Sequence, residues 1–253
     1  MNILTINICS LNVGMSNILG GLSALISSES MDIIFLQEVR LSGPQIEYLL
    51  PGYRAAANIE PENPSRPGTA IVWRSDLPVK ELLSFSLCRM QLATLGSFKL
   101  INVYAPSGSS RKQERASFFS QDLFAALQLS PDRPLILGGD FNCLLKPIDV
   151  ENGCGFTQKK CQSLDNIVKV FKLIDSFRFC YPTAKEFTFL RSGCAPSRLD
   201  RIYLSSCMEN AVCNVNHFAS LADHCGVNLK ISLDLHLQPP SRENTDYSYW
   251  KLN

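Results

Sequence analysis

The chain has 253 residues, 45% hydrophobic and 19% charged, with a formal net charge of +1. That composition excludes a disordered or fibrous protein, and the length suits one domain with a sizeable core. The near-neutral balance excludes a uniformly basic nucleic-acid coat, so any contact with an anionic polymer must come from a locally basic face.

In chain order, the apolar runs with strand length and strand composition are Ile3–Ile8, Asp32–Gln37, Thr69–Trp73, Phe98–Tyr104, Leu135–Gly138, Phe187–Leu190, Leu199–Leu204, Ala211–His217 and Val227–Leu233. Helical spacing falls between them at Ile18–Ser27, Gln45–Leu50, Gln113–Leu127 and Leu164–Phe171. Loop signals occupy Asn58–Gly68, which holds three prolines, Ala105–Ser110 and Glu151–Phe156. Strands and helices are mixed, without an internal repeat. Beyond Leu237 the periodicity is lost and Pro239-Pro240 precedes polar residues, which predicts a folded domain over 1–236 and a linker over 237–253.

Ten cysteines occur without a CxxC pair. In a long chain with no leader-like opening they predict free thiols in a reducing compartment. The pairs Cys154–Cys161 and Cys207–Cys213 lack partners at zinc spacing and are expected to pack in the core. No run approaches the ~20 apolar residues that a membrane span needs.

Polar clusters sit where the apolar runs end: Asn7, Gln37-Glu38, Tyr104-Ala105-Pro106, Gly139-Asp140-Phe141-Asn142 and Ala222-Asp223-His224, with Ser197-Arg198-Leu199-Asp200 opening another strand. Strand ends are where α/β folds usually keep their active sites. The residue types suit one task. Cleaving a phosphodiester needs a cation to offset charge, a group to orient or deprotonate water, and donors aimed at the developing anion. Glu38 and Asp223 offer hard oxygens of the kind magnesium or manganese prefers. Asn7 and Asn142 position without adding charge, Asp140 can act as a base, and a carboxylate such as Asp200 would fix the tautomer and charge of His224. The adjacent glycines of GGDFN are expected to form a tight turn that puts Asp140 and Asn142 on one side.

Taken in order, ILTINI, FLQEVR, INVYAP, LGGDFN, SRLDRIY and LADHCG resemble the motifs of the endonuclease/exonuclease/phosphatase superfamily over nearly the whole chain. That resemblance implies a four-layered α/β sandwich, two packed mixed β-sheets flanked by helices. It implies a catalytic set of Asn7, Glu38, Tyr104, Asp140, Asn142, Asp200, Asp223 and His224, with Glu38, Asn7 and Asp223 at the metal. The cofactor implied is Mg2+, with Mn2+ as the alternative. Repair enzymes of the superfamily commonly carry an acid two residues after the first asparagine, where this chain has Cys9.

Further details resemble the endonucleases of non-LTR (LINE-type) retrotransposons: EFTFL, a short turn over Arg191–Pro196, then SRLDRIY, and the tail Tyr249-Trp250-Lys251-Leu252-Asn253. In that group the hairpin before the aspartate probes the DNA groove. The resemblance implies double-stranded DNA as partner, with Thr188, Arg191, Ser197, Arg198, Arg111 and Lys112 as contacts. It also implies a reverse transcriptase domain in cis, action in the nucleus, no membrane, and a single-strand nick that leaves a 3′ hydroxyl to prime reverse transcription. The rivals are an apurinic-site repair endonuclease, a small-molecule phosphodiesterase and a catalytically inactive DNA-binding domain.

Overall fold

Runs rich in β-branched and aromatic residues, the central ones buried along nearly their whole length, give the chain twelve strands among its described residues. In the computed structural model these residues are 3–12 (backbone alone), 31–60, 62–63, 66–85, 87–129, 131–218 and 223–234. The expected helix over Ile18–Ser27 and the tail from Leu237 lie outside them. The strands are β1 (Ile3–Asn12), β2 (Ile33–Val39), β3 (Tyr53–Asn58), β4 (Gly68–Arg74), β5 (Val79–Phe85), β6 (Met90–Leu95), β7 (Phe98–Tyr104), β8 (Leu135–Asp140), β9 (Leu173–Asp175), β10 (Asp200–Ser205), β11 (Val212–Phe218) and β12 (Gly226–Asp234).

They form two six-stranded sheets, ordered β11-β12-β1-β2-β4-β3 and β5-β6-β7-β8-β10-β9. Each is mixed, because β1 runs parallel to β2 and β7 runs parallel to β8 while the other pairs are antiparallel. The inner faces interdigitate: Ile33, Phe35 and Ile71 from the first sheet meet Leu100, Ile136 and Ile202 from the second in one core cluster. Burying each such side chain contributes roughly 1.5–3 kcal/mol. Glycine at position 138 is dictated here, since a Cβ would lie 2.6 Å from the Phe35 ring.

Helices cover both outer faces. The first, α1 (Gly43–Leu49), buries Ile46 with the following Leu50 against Ile34, Leu36 and Val72. It begins at Gly43 because Gln45 turns back as an acceptor for the Ser42 backbone N–H, 2.9 Å away. On the second sheet, α2 (Lys112–Ser117) runs through a widened π-type stretch, Phe118–Leu123, into α3 (Phe124–Gln128). Consecutive residues of a regular helix point ~100° apart, and the widened turn lets both Phe118 and Phe119 pack inward with Leu123. The short α4 (Phe156–Lys159) leads to α5 (Gln162–Val170), which adds Leu164 and Ile167 to that layer, and α6 (Ser176–Cys180) follows β9. The result is helix, sheet, sheet, helix.

Several expectations need correction. β3, β5, β6 and β9 were not anticipated; β5 reads as a charged, helix-like KELL segment whose Leu82 and Leu83 are in fact exposed. Phe187–Leu190 is no strand: it contributes only isolated pairings of Phe189 with Ser197 and His224. Cys161 is buried, but Cys154, Cys207 and Cys213 are exposed, because they lie in turns and on the irregular edge of β11 rather than on inward faces. Cys88, Cys143, Cys154, Cys161, Cys180, Cys194, Cys207, Cys213 and Cys225 are free thiols. No described helix is long and apolar enough to cross a membrane.

One buried polar cluster braces the end of the second sheet. Asp149 Oδ1 accepts from Arg178 Nη2 at 2.8 Å and Arg198 Nε at 3.0 Å, while Arg198 also grips both oxygens of Asp175 at 3.1 and 2.6 Å. Burial opposes the charge on Asp149, yet Arg198, Arg201 and Arg178 hold its carboxyl far below the usual range. Removing one partner of a buried ion pair strands the others, at a cost of about 3–5 kcal/mol. Asp149→Asn should therefore lower the urea-unfolding free energy by about that amount at neutral pH. A depressed native pKa contributes stability above the unfolded value of ~3.9 that is lost as pH falls through the native value. The gap between wild type and variant should accordingly narrow below about pH 4, and a gap independent of pH would contradict this charge assignment.

Candidate active site

Three positions line up at one end of the second sheet. Tyr104, the last residue of β7, stands beside Asp140, the last of β8, and Asp140 faces Asp200, the first of β10. Residues in register share a face of the sheet, so the phenol and both carboxylates emerge together. The glycines before Asp140 serve this alignment differently from the expected turn: they lie inside β8. Gly139 has φ 144°, and a Cβ there would sit 1.9 Å from the Val103 carbonyl oxygen, so only glycine lets β8 reach this far beside β7.

Asn142 then doubles back. With φ 49°, in the left-handed region, it places its own backbone N–H 2.9 Å from Asp140 Oδ1 and its side-chain Nδ2 2.8 Å from Asp140 Oδ2. The same Nδ2 donates to the Ala105 carbonyl at 3.0 Å, which ties the ends of β7 and β8 together. Left-handed backbone is tolerated by asparagine better than by most residues.

His224 reaches the carboxylates from the first sheet's side. Its Nδ1 lies 2.8 Å from Asp200 Oδ2, and its ring packs on Phe189 with centroids 5.0 Å apart. Burial works against the imidazolium, but the Asp200 carboxylate, with Asp140 and Asp223 behind it, raises the His224 pKa to about 10. Asp140 is pushed up to about 7, first by burial and then by the Asp200 carboxylate. At neutral pH the trio therefore holds a charged imidazole hydrogen-bonded to Asp200 and an Asp140 poised to take or give a proton.

Glu38 closes the site from the first sheet, at the end of β2. Its φ is 59°, and the pairing with β4 slips between Gln37 and Val39, a bulge that re-aims the side chain. A left-handed glutamate costs roughly 1–2 kcal/mol. Tyr104 Oη donates to Glu38 Oε1 at 3.2 Å, joining the two sheets across the cleft. The phenol's pKa lies above its ordinary value, through burial and then the Glu38 and Asp140 charges, so Tyr104 acts as a neutral donor.

A divalent cation fits this donor set. Asp200 Oδ1 is buried without a hydrogen-bond partner, Asp140 has a raised pKa, and Glu38 and Asp223 add two more carboxyl groups, so negative charge exceeds what His224 offsets. Asp140, Asp200 and His224 bring ligand-type atoms within 4.8 Å of one another. A protonated histidine cannot ligate, however, and both oxygens of Asp140 already accept from Asn142, so Glu38 is the better anchor. Asn7 lies in β1, where its backbone pairs with Lys230, and Asp223 is exposed at the rim.

The expected DNA contacts divide sharply. Arg191 is exposed in the turn after Phe189, and Arg111 and Lys112 are exposed at the start of α2, where Arg111 also pairs with Glu114 at 2.6 Å. Thr188, Ser197 and Arg198 are corrected: all three are buried. Thr188 Oγ1 accepts from the Leu199 and Asp200 backbone N–H groups at 3.0 Å each, Ser197 bonds the Ala195 carbonyl, and Arg198 is consumed by Asp149 and Asp175. Arg201 is likewise buried, donating to the Cys143 carbonyl. Arg89 was missed. It stacks over the Tyr104 ring at 5.2 Å and donates to the Tyr104 carbonyl at 3.3 Å. Nothing in the local sequence Leu87-Cys88-Arg89 signals this.

Residues 9–224 match the endonuclease/exonuclease/phosphatase family. The chain belongs to that family. Over 166 residues, 62% of its length, this family member is 33% identical to a Xenopus laevis protein described as the transposon TX1 uncharacterized 149 kDa protein, of which it covers 12%. It is 31% identical over 184 residues, 65% of the chain, to Drosophila melanogaster recombination repair protein 1, of which it covers 26%. It thus spans only a fraction of these two relatives. Its fold is that of the Leishmania major AP endonuclease LMAP, with a TM-score of 0.75 at 18% identity, covering 91% of this chain and 88% of that one.

The charge assignment is open to measurement. The ring protons of His224, followed by NMR, should titrate far above the ordinary histidine range, near pH 10. In Asp200→Asn, burial is opposed only by the Asp140 and Asp223 charges, and the titration should fall well below the wild-type value. An ordinary histidine pKa in the wild type would remove the imidazolium from the site.

Proposed function

We propose that this domain is a divalent-cation-dependent endonuclease that nicks one strand of duplex DNA, leaving a 3′ hydroxyl to prime reverse transcription during retrotransposition. The observation that carries the reading is the Asp140–Asp200–His224 trio set beside Glu38 and Tyr104: a proton acceptor, an imidazolium donor and a hard anchor for a cation around one small opening. A phosphodiester placed there meets each group that its hydrolysis requires.

In this reading Asp140, oriented by Asn142, takes a proton from water as the water oxygen bonds to phosphorus. The bond between phosphorus and the 3′ oxygen breaks on the opposite side, and the departing oxygen takes a proton from solvent. The His224 imidazolium stabilises the phosphoryl oxygens as their charge builds, while Tyr104 Oη keeps its hydrogen bond to Glu38. Glu38, with Asn7 and Asp223, would hold magnesium or manganese, which would supply positive charge beside the phosphate. Arg191, Arg111 and Lys112 are exposed and available to backbone phosphates. The likeness to a transposon protein and the tail Trp250-Lys251-Leu252-Asn253 favour retrotransposition, with a reverse transcriptase carried in cis and action in the nucleus. The likeness to a repair protein keeps apurinic-site cleavage as the rival, against which Cys9 stands in place of an acid.

Intact and abasic duplexes assayed side by side separate the two. The expected result is nicking of intact duplex, stopped by chelator and restored by magnesium; cleavage confined to abasic sites would favour the rival. Nicked strands should be extended by a polymerase and sealed by a ligase without end repair, and a requirement for prior phosphatase treatment would contradict the 3′-oxygen assignment. His224→Ala should lower the rate by roughly 100- to 10,000-fold with the fold intact, whereas a variant at half the wild-type rate would exclude the role given to the imidazole. Replacing Arg191–Pro196 with a glycine-serine turn of equal length should move the nick sites without stopping cleavage; an unchanged nick map would exclude this turn as the groove reader.

A further inference from the structure

One pleat below the opening, the apolar interface between the sheets is interrupted by a pair of buried amides. Gln37 Nε2, from β2, donates to Asn102 Oδ1, from β7, at 2.8 Å and lies 3.1 Å from the Phe35 carbonyl. Asn102 Nδ2 donates back across the gap to the carbonyls of Leu36 and Ala70, at 3.0 and 2.9 Å, and so grips both β2 and β4. Neither side chain is exposed to solvent. Beside them the contact is apolar, with Phe35 against Gly138, the register partner of Asn102. Above them stand the site residues: Glu38 directly follows Gln37, and Tyr104 lies two residues beyond Asn102 on the same face.

We propose that Gln37 and Asn102 are positioning residues that hold Glu38 in its left-handed bulge at hydrogen-bonding distance from Tyr104, and thereby set the cation anchor. Two observations meet here. A strained backbone persists only where its surroundings over-determine it, and the residue before Glu38 is pinned to the opposite sheet through its side chain. An apolar interface tolerates small slides, whereas an amide pair with four defined partners bonds in one register only. The sheets carry Glu38 and Tyr104 separately, so a slide between them would open the 3.2 Å contact first. The cation part of this proposal rests on the nuclease reading; the positioning part does not.

The test compares wild type with Gln37→Leu, Asn102→Leu and the double variant. Gln37→Leu takes the amide donor from Asn102 Oδ1 and Asn102→Leu takes that acceptor from Gln37 Nε2, so each single variant should lower the melting temperature, while the double variant removes both ends of this bond and should recover part of the loss. A purely structural pair predicts that function recovers with stability. The positioning role predicts otherwise: in the ion-free double variant, amide exchange at residues 37–39 should be at least tenfold faster than in wild type at matched global stability. Manganese binding, titrated with the metal alone, should weaken about tenfold. If the double leucine variant does not fold, Asn102→Thr carries the same comparison, with exchange in β6 as the internal reference. Wild-type exchange at 37–39 in a stable variant would overturn the proposal. A wild-type protein that binds no manganese would instead overturn the metal-nuclease reading, while the exchange comparison still decides the positioning role.

Discussion

Two carboxylates, Asp140 and Asp200, face each other from neighbouring strands with almost no solvent between them and the core. Left alone, that repulsion would drive both to protonate or push the strands apart. The surrounding structure divides the problem instead. His224 takes one oxygen of Asp200, Asn142 takes both oxygens of Asp140, and Thr188 fixes the backbone on which Asp200 stands. The residual charge is held in a form that chemistry can use: Asp140 near neutrality in its proton affinity, and the imidazole fully charged.

The two-sheet architecture is what brings these groups together. Asp140, Asp200 and Tyr104 come from the second sheet, and Glu38 from the first, so the opening exists only because the sheets stack with a fixed offset. Along the inner face the chain changes chemistry in steps, from Phe35 on Gly138, through Gln37 on Asn102, to Glu38 beside Tyr104. The site inherits its precision from the packed and hydrogen-bonded contacts beside it.

Much of this was legible in the sequence, for identifiable reasons. Apolar, β-branched runs located the central strands, because those strands are buried and their composition has little freedom. The chemical residues were legible because they stand where those runs end. Edge elements escaped: β5 is amphiphilic and partly exposed, and β9 is three residues long, too short to leave a period. The roles of Thr188, Ser197 and Arg198 could not be read, since a hydroxyl or guanidinium in a motif looks the same whether it meets solvent or closes a buried network. The glycines of GGDFN were noticed for a turn, whereas their use is close strand approach, a property of the neighbour Val103 rather than of the local sequence.

The segment between Phe189 and Ser197 is anchored at its base and open at its tip. Phe189 pairs with both Ser197 and His224, Val150 pairs with Ser197, and Arg198 is locked by two aspartates, while Arg191, Ser192, Gly193 and Cys194 stand in solvent. Mechanically it is a cantilever: its root is tied to Asp200 and His224, and its free end bears none of that load. Substitutions at the tip can accumulate without loosening Asp200 or His224, so a lineage carrying this fold is able to change what the tip touches while inheriting the chemistry intact.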